Sequence, residues 1–283
     1  MSRRIAVLGA GTMGHGIAHA AIAAGCETRL FDVDQSSLDR AVAAVGDILG
    51  KGAALGKITK EEAALNLGRL HPSTALGPVL GDADFVIEAA PERLDLKLEL
   101  FAAIDALAPA SAIVTSNTSA LSITELAATL RRPARVAGMH FFNPVHKMKL
   151  IEIVRGLETS DATLDAVREV AAAMGKETVL VRESPGFITT RVNASIGNEA
   201  FYMLMEGVAS AGDIDKALKL GLNHPMGPFE LVDLVGLDTR LSILEYLHRT
   251  LGEKYRPCPL LVQYVRAGRL GRKVGRGVYE YPR

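Results

Sequence analysis

The chain has 283 residues, of which 48% are hydrophobic, which is enough for one large domain or two ordinary ones. Its 32 lysines and arginines balance its 32 aspartates and glutamates, so no global field draws it to nucleic acid or to an anionic membrane. No run approaches the roughly 20 apolar residues of a membrane span, and only four apolar residues precede Gly9, too few for a secretory signal.

Short apolar runs alternate with longer amphipathic segments over the first part of the chain. The predicted strands are Ile5–Leu8, Glu27–Asp32, Phe85–Ala89, Ala112–Ser116, Val136–Phe142, Leu150–Val154 and Thr178–Val181. The predicted helices are Gly14–Ala24, Ser36–Ala54, Glu61–Leu67, Leu94–Leu107, Ser122–Leu130 and Asp161–Met174. Strands that alternate with helices are typical of parallel β-α-β units in a doubly wound sheet.

The pattern changes after Ser184-Pro185-Gly186, where the Pro-Gly pair marks a boundary. Helical patterns follow over Ile188–Gly207, Ala211–Leu220 and part of Pro228–Leu251, and no run predicts a strand. We therefore expect an α/β protein whose doubly wound, mostly parallel domain covers 1–184, followed by an all-helical domain over 185–283.

A glycine-rich turn, Gly9-Ala10-Gly11-Thr12-Met13-Gly14, separates the first strand from the first helix. GxGxxG alone also marks ordinary turns, but here it sits between a strand and a helix, and Asp32 ends the next strand about 20 residues later. Gly9 permits the tight turn, Gly11 lets the backbone approach a pyrophosphate, and Gly14 lets the helix pack closely on the strand. The sequence therefore predicts a Rossmann-type dinucleotide-binding domain.

Asp32 bears on whether the expected cofactor is NAD or NADP. Its carboxylate can accept hydrogen bonds from the adenosine ribose and would repel the 2′-phosphate of NADP. Arg29 and Arg40 could lie nearby and favour that phosphate instead. We predict NAD.

Several polar groups follow later strands of the predicted sheet. Glu88 and Glu92 follow one strand, Ser116-Asn117-Thr118-Ser119 ends the next, and His140 and Asn143 end the third. Ligands bind beyond the carboxyl ends of strands in an open parallel sheet. We expect these groups to converge on one crevice with the glycine turn.

His140 is the natural general base for oxidising an alcohol, because imidazole exchanges a proton near neutral pH. Glu152 lies within an otherwise apolar strand, and a buried carboxylate needs a cation or a donor. That partner is either the nearby Arg155 or His140, and the residues alone do not decide between them.

At these positions the sequence resembles the L-3-hydroxyacyl-CoA dehydrogenases, in particular the short bacterial 3-hydroxybutyryl-CoA dehydrogenases. The resemblance covers nearly the whole chain. It is carried by Gly9–Gly14, Val86–Glu92, Ser116–Ser119, His140–Pro144, Met148–Glu152, Ser184–Phe187, His224–Pro228 and Gly271–Tyr279.

The resemblance implies NAD-dependent oxidation of an L-3-hydroxyacyl-CoA to a 3-ketoacyl-CoA. It implies that His140 takes the hydroxyl proton, that Glu152 holds His140, and that Ser119 hydrogen-bonds the substrate oxygen. Asn143 would anchor the loop after His140 on the nicotinamide side. The further cofactor-binding residues it implies are Glu92, Lys97, Asn117 and, from the second domain, Lys273.

Lys51 and Lys57 match family positions near the phosphates of coenzyme A, and the alternative is that they belong to a solvated helix face. Thr190 is a departure, because many relatives have an asparagine there that contacts the substrate oxygen. A threonine hydroxyl is shorter, and Asn193 could substitute for it one turn on. Thr190 therefore bears on the substrate range more than on the reaction type.

Two alternatives remain: a dehydrogenase of a hydroxy acid without CoA, such as gulonate or carnitine dehydrogenase, and a non-catalytic, crystallin-like NAD-binding protein. The set of His140, Glu152 and Ser119 argues against the second. The resemblance also implies a homodimer through the helical domain. Cys26 and Cys258 have neither metal-ligand nor redox spacing, so we expect a reducing cytoplasm, no disulfide and no metal.

Overall fold

A computed structural model describes residues 3–282, and the chain divides between Glu183 and Ser184 into two compact units. We call them the N-terminal unit and the C-terminal unit. The strands of the N-terminal unit are β1 (Arg4–Leu8), β2 (Glu27–Phe31), β3 (Leu70–Ser73), β4 (Phe85–Glu88), β5 (Ile113–Ser116), β6 (Val136–Phe141), β7 (Leu150–Arg155) and β8 (Glu177–Arg182).

These eight strands form one sheet in the order β3-β2-β1-β4-β5-β6-β7-β8. All neighbouring pairs are parallel except β6 and β7, which are antiparallel. A short connection joins β6 to β7, whereas a parallel pair needs a longer crossover. The prediction of a doubly wound, mostly parallel sheet is confirmed.

The helices of the N-terminal unit are α1 (Thr12–Ala23), α2 (Gln35–Ala54), α3 (Lys60–Leu67), α4 (Leu76–Leu80), α5 (Leu94–Leu107), α6 (Ile123–Ala127) and α7 (Asp161–Ala173). Local capping explains where several of them begin. The Asp34 carboxylate accepts the first backbone amides of α2, and Thr59 forms a capping box with Glu62 at the start of α3.

The sequence patterns do not predict β3 or α4. β3 reads Leu70-His71-Pro72-Ser73, which is neither apolar nor alternating. It forms the edge of the sheet with β2 as its single neighbour, and proline is tolerated at an edge because the missing amide has no strand to bond.

One face of the sheet packs against α1, α2 and α7. The strands in its centre, β4, β5 and β6, are buried along their whole length, which explains why they read as continuous apolar runs. The helices contribute Ile17, Leu38 and Val167 to this core.

The C-terminal unit contains α8 (Thr189–Met205), α9 (Ala211–Gly221), α10 (Pro228–Val235), α11 (Leu237–Leu251) and α12 (Pro259–Arg266). Phe201 and Phe229 pack edge to face in its core, with ring centroids 5.2 Å apart. Between Ser184 and Pro282 the described backbone has only isolated β-bridges and no strand, which confirms the all-helical prediction.

Two features of this unit differ in detail from the sequence patterns. Gly236, with a φ of 107°, breaks the segment Pro228–Leu251 into two helices. The eight residues of α12 begin at Pro259, and the sequence patterns do not predict them. Across the described chain, no helix combines the length and hydropathy that crossing a bilayer would require.

Candidate active site

The carboxyl ends of four strands lie side by side in the sheet. Register aligns Leu8 of β1 with Glu88 of β4, Glu88 with Ser116 of β5, and Ser116 with Gly138 of β6. The polar residues that follow these positions therefore meet at one edge of the sheet, beside the turn that follows β1. This is the convergence that the sequence predicts.

The glycine turn has no room for side chains at two of its positions. Gly9 has a φ of 108°, and a Cβ there would lie 2.6 Å from the carbonyl oxygen of Ala89. A Cβ on Gly14 would lie 1.7 Å from the carbonyl oxygen of Gly9, because α1 approaches the turn so closely. At Gly11, by contrast, a Cβ would meet nothing within 4 Å, so a ligand can reach the backbone at the start of α1.

Asp32 is tied to this turn. Its Oδ2 accepts the backbone amide of Ala10 at 2.8 Å, and Oδ1 accepts that of Asp34 at 3.1 Å. Both arginines that could have favoured a 2′-phosphate are engaged elsewhere: Arg29 pairs with Asp82, and Arg40 bonds the hydroxyls of Ser36 and Ser37. The Asp32 carboxylate could therefore accept hydrogen bonds from a ribose, and the open backbone at Gly11 could accommodate a pyrophosphate.

A buried ion pair supports the next strand end. Glu88 and Lys97 are 0% and 1% exposed, and Lys97 Nζ donates to Glu88 Oε1 and to the carbonyl of Ala90. Glu88 also accepts the Ser116 hydroxyl and the amide of Ala90. These hydrogen bonds satisfy the buried charges of the pair. They also join β4, β5 and α5, and they fix the turn that leads to Glu92.

Glu92 in turn orients the segment after β5. Its Oε1 accepts the Thr118 hydroxyl and the Ser119 backbone amide, the latter at 3.0 Å. The Asn117 side chain accepts the amide of Phe141 at 2.9 Å and so ties β5 to the end of β6. These contacts set the direction of the Ser119 side chain.

Three side chains form a continuous chain at the end of β6. His140 and Glu152 are directly paired in the antiparallel register, and His140 Nδ1 lies 2.7 Å from Glu152 Oε2. Ser119 Oγ lies 3.1 Å from His140 Nε2. Glu152 is fully buried and His140 is 5% exposed. A carboxylate can only accept, so Nδ1 carries the hydrogen of this bond and Nε2 is left to accept a proton.

Arg155, the alternative partner of Glu152, points elsewhere. It pairs with Asp161 and donates to the carbonyl of Thr159. The geometry therefore chooses His140 as the neighbour of Glu152, a choice that the residue pattern left open.

Comparison with known proteins identifies the family of the chain. The family model of the 3-hydroxyacyl-CoA dehydrogenase NAD binding domain matches residues 4–184, and that of the C-terminal domain matches residues 186–281. The chain belongs to the 3-hydroxyacyl-CoA dehydrogenase family. The predicted identity as an NAD-dependent 3-hydroxyacyl-CoA dehydrogenase is confirmed.

Individual relatives match over the whole chain. A probable 3-hydroxybutyryl-CoA dehydrogenase of Bacillus subtilis is 48% identical, with 99% of this chain and 97% of that protein covered. The crystal structure of (S)-3-hydroxybutyryl-CoA dehydrogenase from Ralstonia eutropha is 43% identical, covers 100% of both chains and superposes with a TM-score of 0.96. A 3-hydroxyadipyl-CoA dehydrogenase of Escherichia coli is 42% identical over 98% of this chain and 58% of its own length.

The remaining residues that the family resemblance singles out lie in varied surroundings. Lys51 near the end of α2 and Lys57 just beyond it are exposed. Asn143 is exposed at the start of the loop between β6 and β7. In the C-terminal unit, Thr190 lies half-buried in the first turn of α8, and Lys273 pairs with Asp238 at 2.6 Å.

Sequence reasoning missed two supports of this site. It named Glu88 and, through the family resemblance, Lys97, but it did not pair them, although Lys97 follows Glu88 by nine residues on the next helix. It overlooked Lys176, whose ammonium group donates to the carbonyls of Val145 and Met148 and so holds the loop after Asn143. Lys176 has no motif around it, so only the folded contacts identify it. Burial lowers the pKa of Lys176.

The two cysteines take no part in the site. Both are buried and free, and burial raises the pKa of each thiol. Among residues 3–282, no three histidine, cysteine or acidic side chains are arranged to hold a metal ion.

Proposed function

We propose that this 3-hydroxyacyl-CoA dehydrogenase acts on short-chain substrates of the L-3-hydroxybutyryl-CoA kind, with His140 as its general base. The observation that carries the proposal is the chain of contacts from Ser119 through His140 to the buried Glu152. This arrangement can remove a proton from a secondary alcohol, because the acceptor nitrogen is directed by a fixed carboxylate.

In the proposed mechanism, His140 Nε2 accepts the proton of the 3-hydroxyl group as the C3–H bond breaks. Bound NAD supplies the hydride acceptor. Glu152 stabilises the imidazolium that forms, since its carboxylate lies against Nδ1 in a site shielded from water. Ser119 Oγ donates to the substrate oxygen, and in the reverse direction His140 returns the proton to the keto oxygen.

For the cofactor, we propose that the backbone of Gly9–Gly14 holds the pyrophosphate and that Asp32 holds the adenosine ribose. Glu92, Asn117 and Asn143 would line the nicotinamide side. Lys97 would act through Glu88 and the Ala90 carbonyl, because its ammonium group is already bonded to both. Lys273 would reach the cofactor only by leaving Asp238.

The role of Asp32 can be tested directly. Asp32→Ala should raise the Kd of NAD more than that of NADP, because it removes a ribose acceptor and also the repulsion of a 2′-phosphate. Equal losses for both cofactors would contradict the role.

The thioester substrate carries the polyanionic CoA, which a protein of zero net charge must meet with local cations. We propose that the exposed Lys51 and Lys57 do so. The double variant Lys51→Ala with Lys57→Ala should raise KM for acetoacetyl-CoA and leave that of NAD unchanged. An unchanged KM for the thioester would reject this role.

The relatives differ in the acyl group that their names give, since they include a probable 3-hydroxybutyryl-CoA and a 3-hydroxyadipyl-CoA dehydrogenase. We propose that Thr190 contributes to this choice from α8. NADH consumption should be measured with acetoacetyl-CoA, longer 3-ketoacyl-CoAs, 3-ketoadipyl-CoA and free keto acids. The highest kcat/KM is expected with acetoacetyl-CoA, and a preference for a free keto acid would overturn the proposal.

We also propose that the enzyme is a cytoplasmic homodimer that associates through its C-terminal unit. Large apolar side chains are exposed on this unit, which supports the idea of a covered surface. They include Ile188, Val192, Met205, Val208, Leu234 and Val235. Sedimentation equilibrium tests the dimer, and a monomer at micromolar concentration would contradict it.

A further inference from the structure

A group of basic side chains surrounds a pocket on the N-terminal unit, apart from the residues assigned above to catalysis. Helix α1 contributes His19 to its lining and the loop between β6 and β7 contributes His146. His15 lies one turn before His19 on α1, and Lys147 follows His146 in the loop. Lys176 completes the wall, and the pocket encloses about 300 Å³. We call this the basic pocket.

The walls of the pocket are held in place by packing. Val145 is buried against Gly16 of α1, where a Cβ would lie 2.9 Å from the Val145 side chain. Lys176 donates to two carbonyls of the same loop, at Val145 and Met148. The rings of His19 and His146 therefore stand edge to face across the pocket, with centroids 6.3 Å apart.

The groups that act electrostatically on these two imidazoles are all basic. Burial, His146, Lys176 and His15 lower the pKa of His19 to about 4. The pKa of His146 is lowered by burial and by Lys147, Lys176, His15 and Lys51. His19 Nδ1 is also buried without a hydrogen-bond partner among residues 3–282. The pocket thus has surplus positive charge and an unused polar atom.

One feature of the pocket opposes an anion. The C-terminal end of α7, at Met174 and Gly175, faces it and carries a partial negative charge of roughly half an elementary charge. Against this half charge stand the full charges of Lys176, which lines the pocket, and of Lys51 and Lys147, which act on His146. The balance of charge favours an anionic ligand over a metal ion.

We propose that the basic pocket binds phosphate groups of the coenzyme A portion of the substrate, with His146 and His19 taking up protons from solvent as the phosphates enter. This rests on the proposed function, because it extends the phosphate contacts assigned to Lys51, whose charge already acts on His146. A dianionic phosphate would stabilise the imidazolium form and make binding tighter at lower pH.

The NAD pyrophosphate is a less suitable occupant. It is assigned to the backbone at Gly11, and His19 lies eight residues farther along the chain, which on a helix is roughly 12 Å. The two phosphate sites would therefore be separate, and their ligands can be tested independently.

The experiment compares two thioesters, acetoacetyl-CoA and acetoacetyl-pantetheine, which carries no phosphate. The variant His19→Gln with His146→Gln should raise KM for acetoacetyl-CoA by roughly five- to twentyfold. Its kcat, its KM for acetoacetyl-pantetheine and its KM for NAD should stay at the wild-type values. His71→Gln, which replaces an exposed histidine of β3, is the matched control.

Calorimetry with free CoA provides a readout that does not depend on turnover. The wild-type Kd should fall between pH 8 and pH 6, and the double variant should lose most of this dependence. Equal changes in KM for both thioesters, a change in KM for NAD, or a Kd independent of pH would overturn the proposal. If the wild type turns over neither thioester, the proposed function fails, whereas calorimetry still decides on the pocket.

Discussion

The two units bury their charged side chains in different ways. In the N-terminal unit, each buried carboxylate of the site faces a nitrogen base: Glu88 contacts Lys97, and Glu152 contacts His140. In the C-terminal unit, Asp215 accepts backbone amides of α10 and the Tyr279 hydroxyl.

Asp233 of the C-terminal unit follows the same scheme. It accepts the amides of Val278 and Tyr279 and the hydroxyl of Tyr281. Gly277 has to be glycine, because a Cβ there would lie 1.9 Å from Asp233 Oδ1. Asp215 and Asp233 thus hold backbone segments in place whose amides make no β-sheet hydrogen bonds.

The two kinds of buried carboxylate have different roles. A carboxylate beside an imidazole can change the proton affinity of a reacting group, whereas a carboxylate held by amides and tyrosines can only fix geometry. We therefore expect substitutions in the first group to act on turnover and those in the second to act on the free energy of unfolding.

The largest expected effect is on the proposed base. His140→Gln should lower kcat by about 10²–10⁴-fold, the usual contribution of a general base. The Kd of NAD, measured by fluorescence titration, should stay close to the wild-type value. Full activity in this variant would show that His140 is not the general base. It would also contradict the catalytic role given to the His140–Glu152 pair of the N-terminal unit.

Lys97 is the exception within the N-terminal unit, since its pairing is structural. Lys97→Met leaves Glu88 buried without its cation and should lower the free energy of unfolding by about 3–5 kcal/mol in urea denaturation. Adding Glu88→Gln should recover much of that loss. If the double variant is no more stable than Lys97→Met alone, the unpaired charge of Glu88 is not the cause of the lost stability.

A substitution of Asp233 tests the structural role of the buried carboxylates in the C-terminal unit. Asp233→Ala leaves two amides and a tyrosine hydroxyl without their acceptor and should lower the free energy of unfolding by about 2–4 kcal/mol. Glu245→Ala, on the exposed face of α11, is the matched control and should change it by less than about 0.5 kcal/mol. Equal effects of the two substitutions would contradict the fastening role.

Arg240 of the C-terminal unit is a buried charge of a third kind. It is 2% exposed, burial lowers its pKa to about 10, and its Nε has no acceptor in the described part of the chain. Arg240→Met should therefore raise the free energy of unfolding by about 1–3 kcal/mol. A loss of stability of that size would show that the guanidinium has a favourable partner in solution.

The smallest expected effect concerns His19 and pH. Its folded-state pKa of about 4 lies below the unfolded value of 6.5, so folding favours the neutral ring. The stability that depends on this ring is present above pH 6.5 and lost as the pH falls towards 4, because the unfolded chain takes up the proton first. In a phosphate-free buffer, His19→Gln should reduce this loss by about 1–2 kcal/mol. An unchanged pH profile of thermal unfolding would contradict the shift.

The sequence by itself determined the elements whose pattern is dictated by burial. β1, β4, β5 and β6 read as apolar runs because they are covered on both faces, and the glycines of the first turn are required by contacts too close for a Cβ. The sequence patterns did not predict β3, because an edge strand is half-exposed and lacks an apolar run. Its assignment as a strand depends on its pairing with β2.

What only the tertiary structure decided is which charged groups meet. Glu152 had two candidate partners in the sequence, and the antiparallel register of β6 and β7 placed His140 opposite it while Arg155 turned to Asp161. The basic pocket likewise joins α1, the loop between β6 and β7, and the end of α7 with Lys176, which lie far apart along the chain. Hydrophobic periodicity is a local property of the chain, whereas an ion pair depends on a distance that only folding sets.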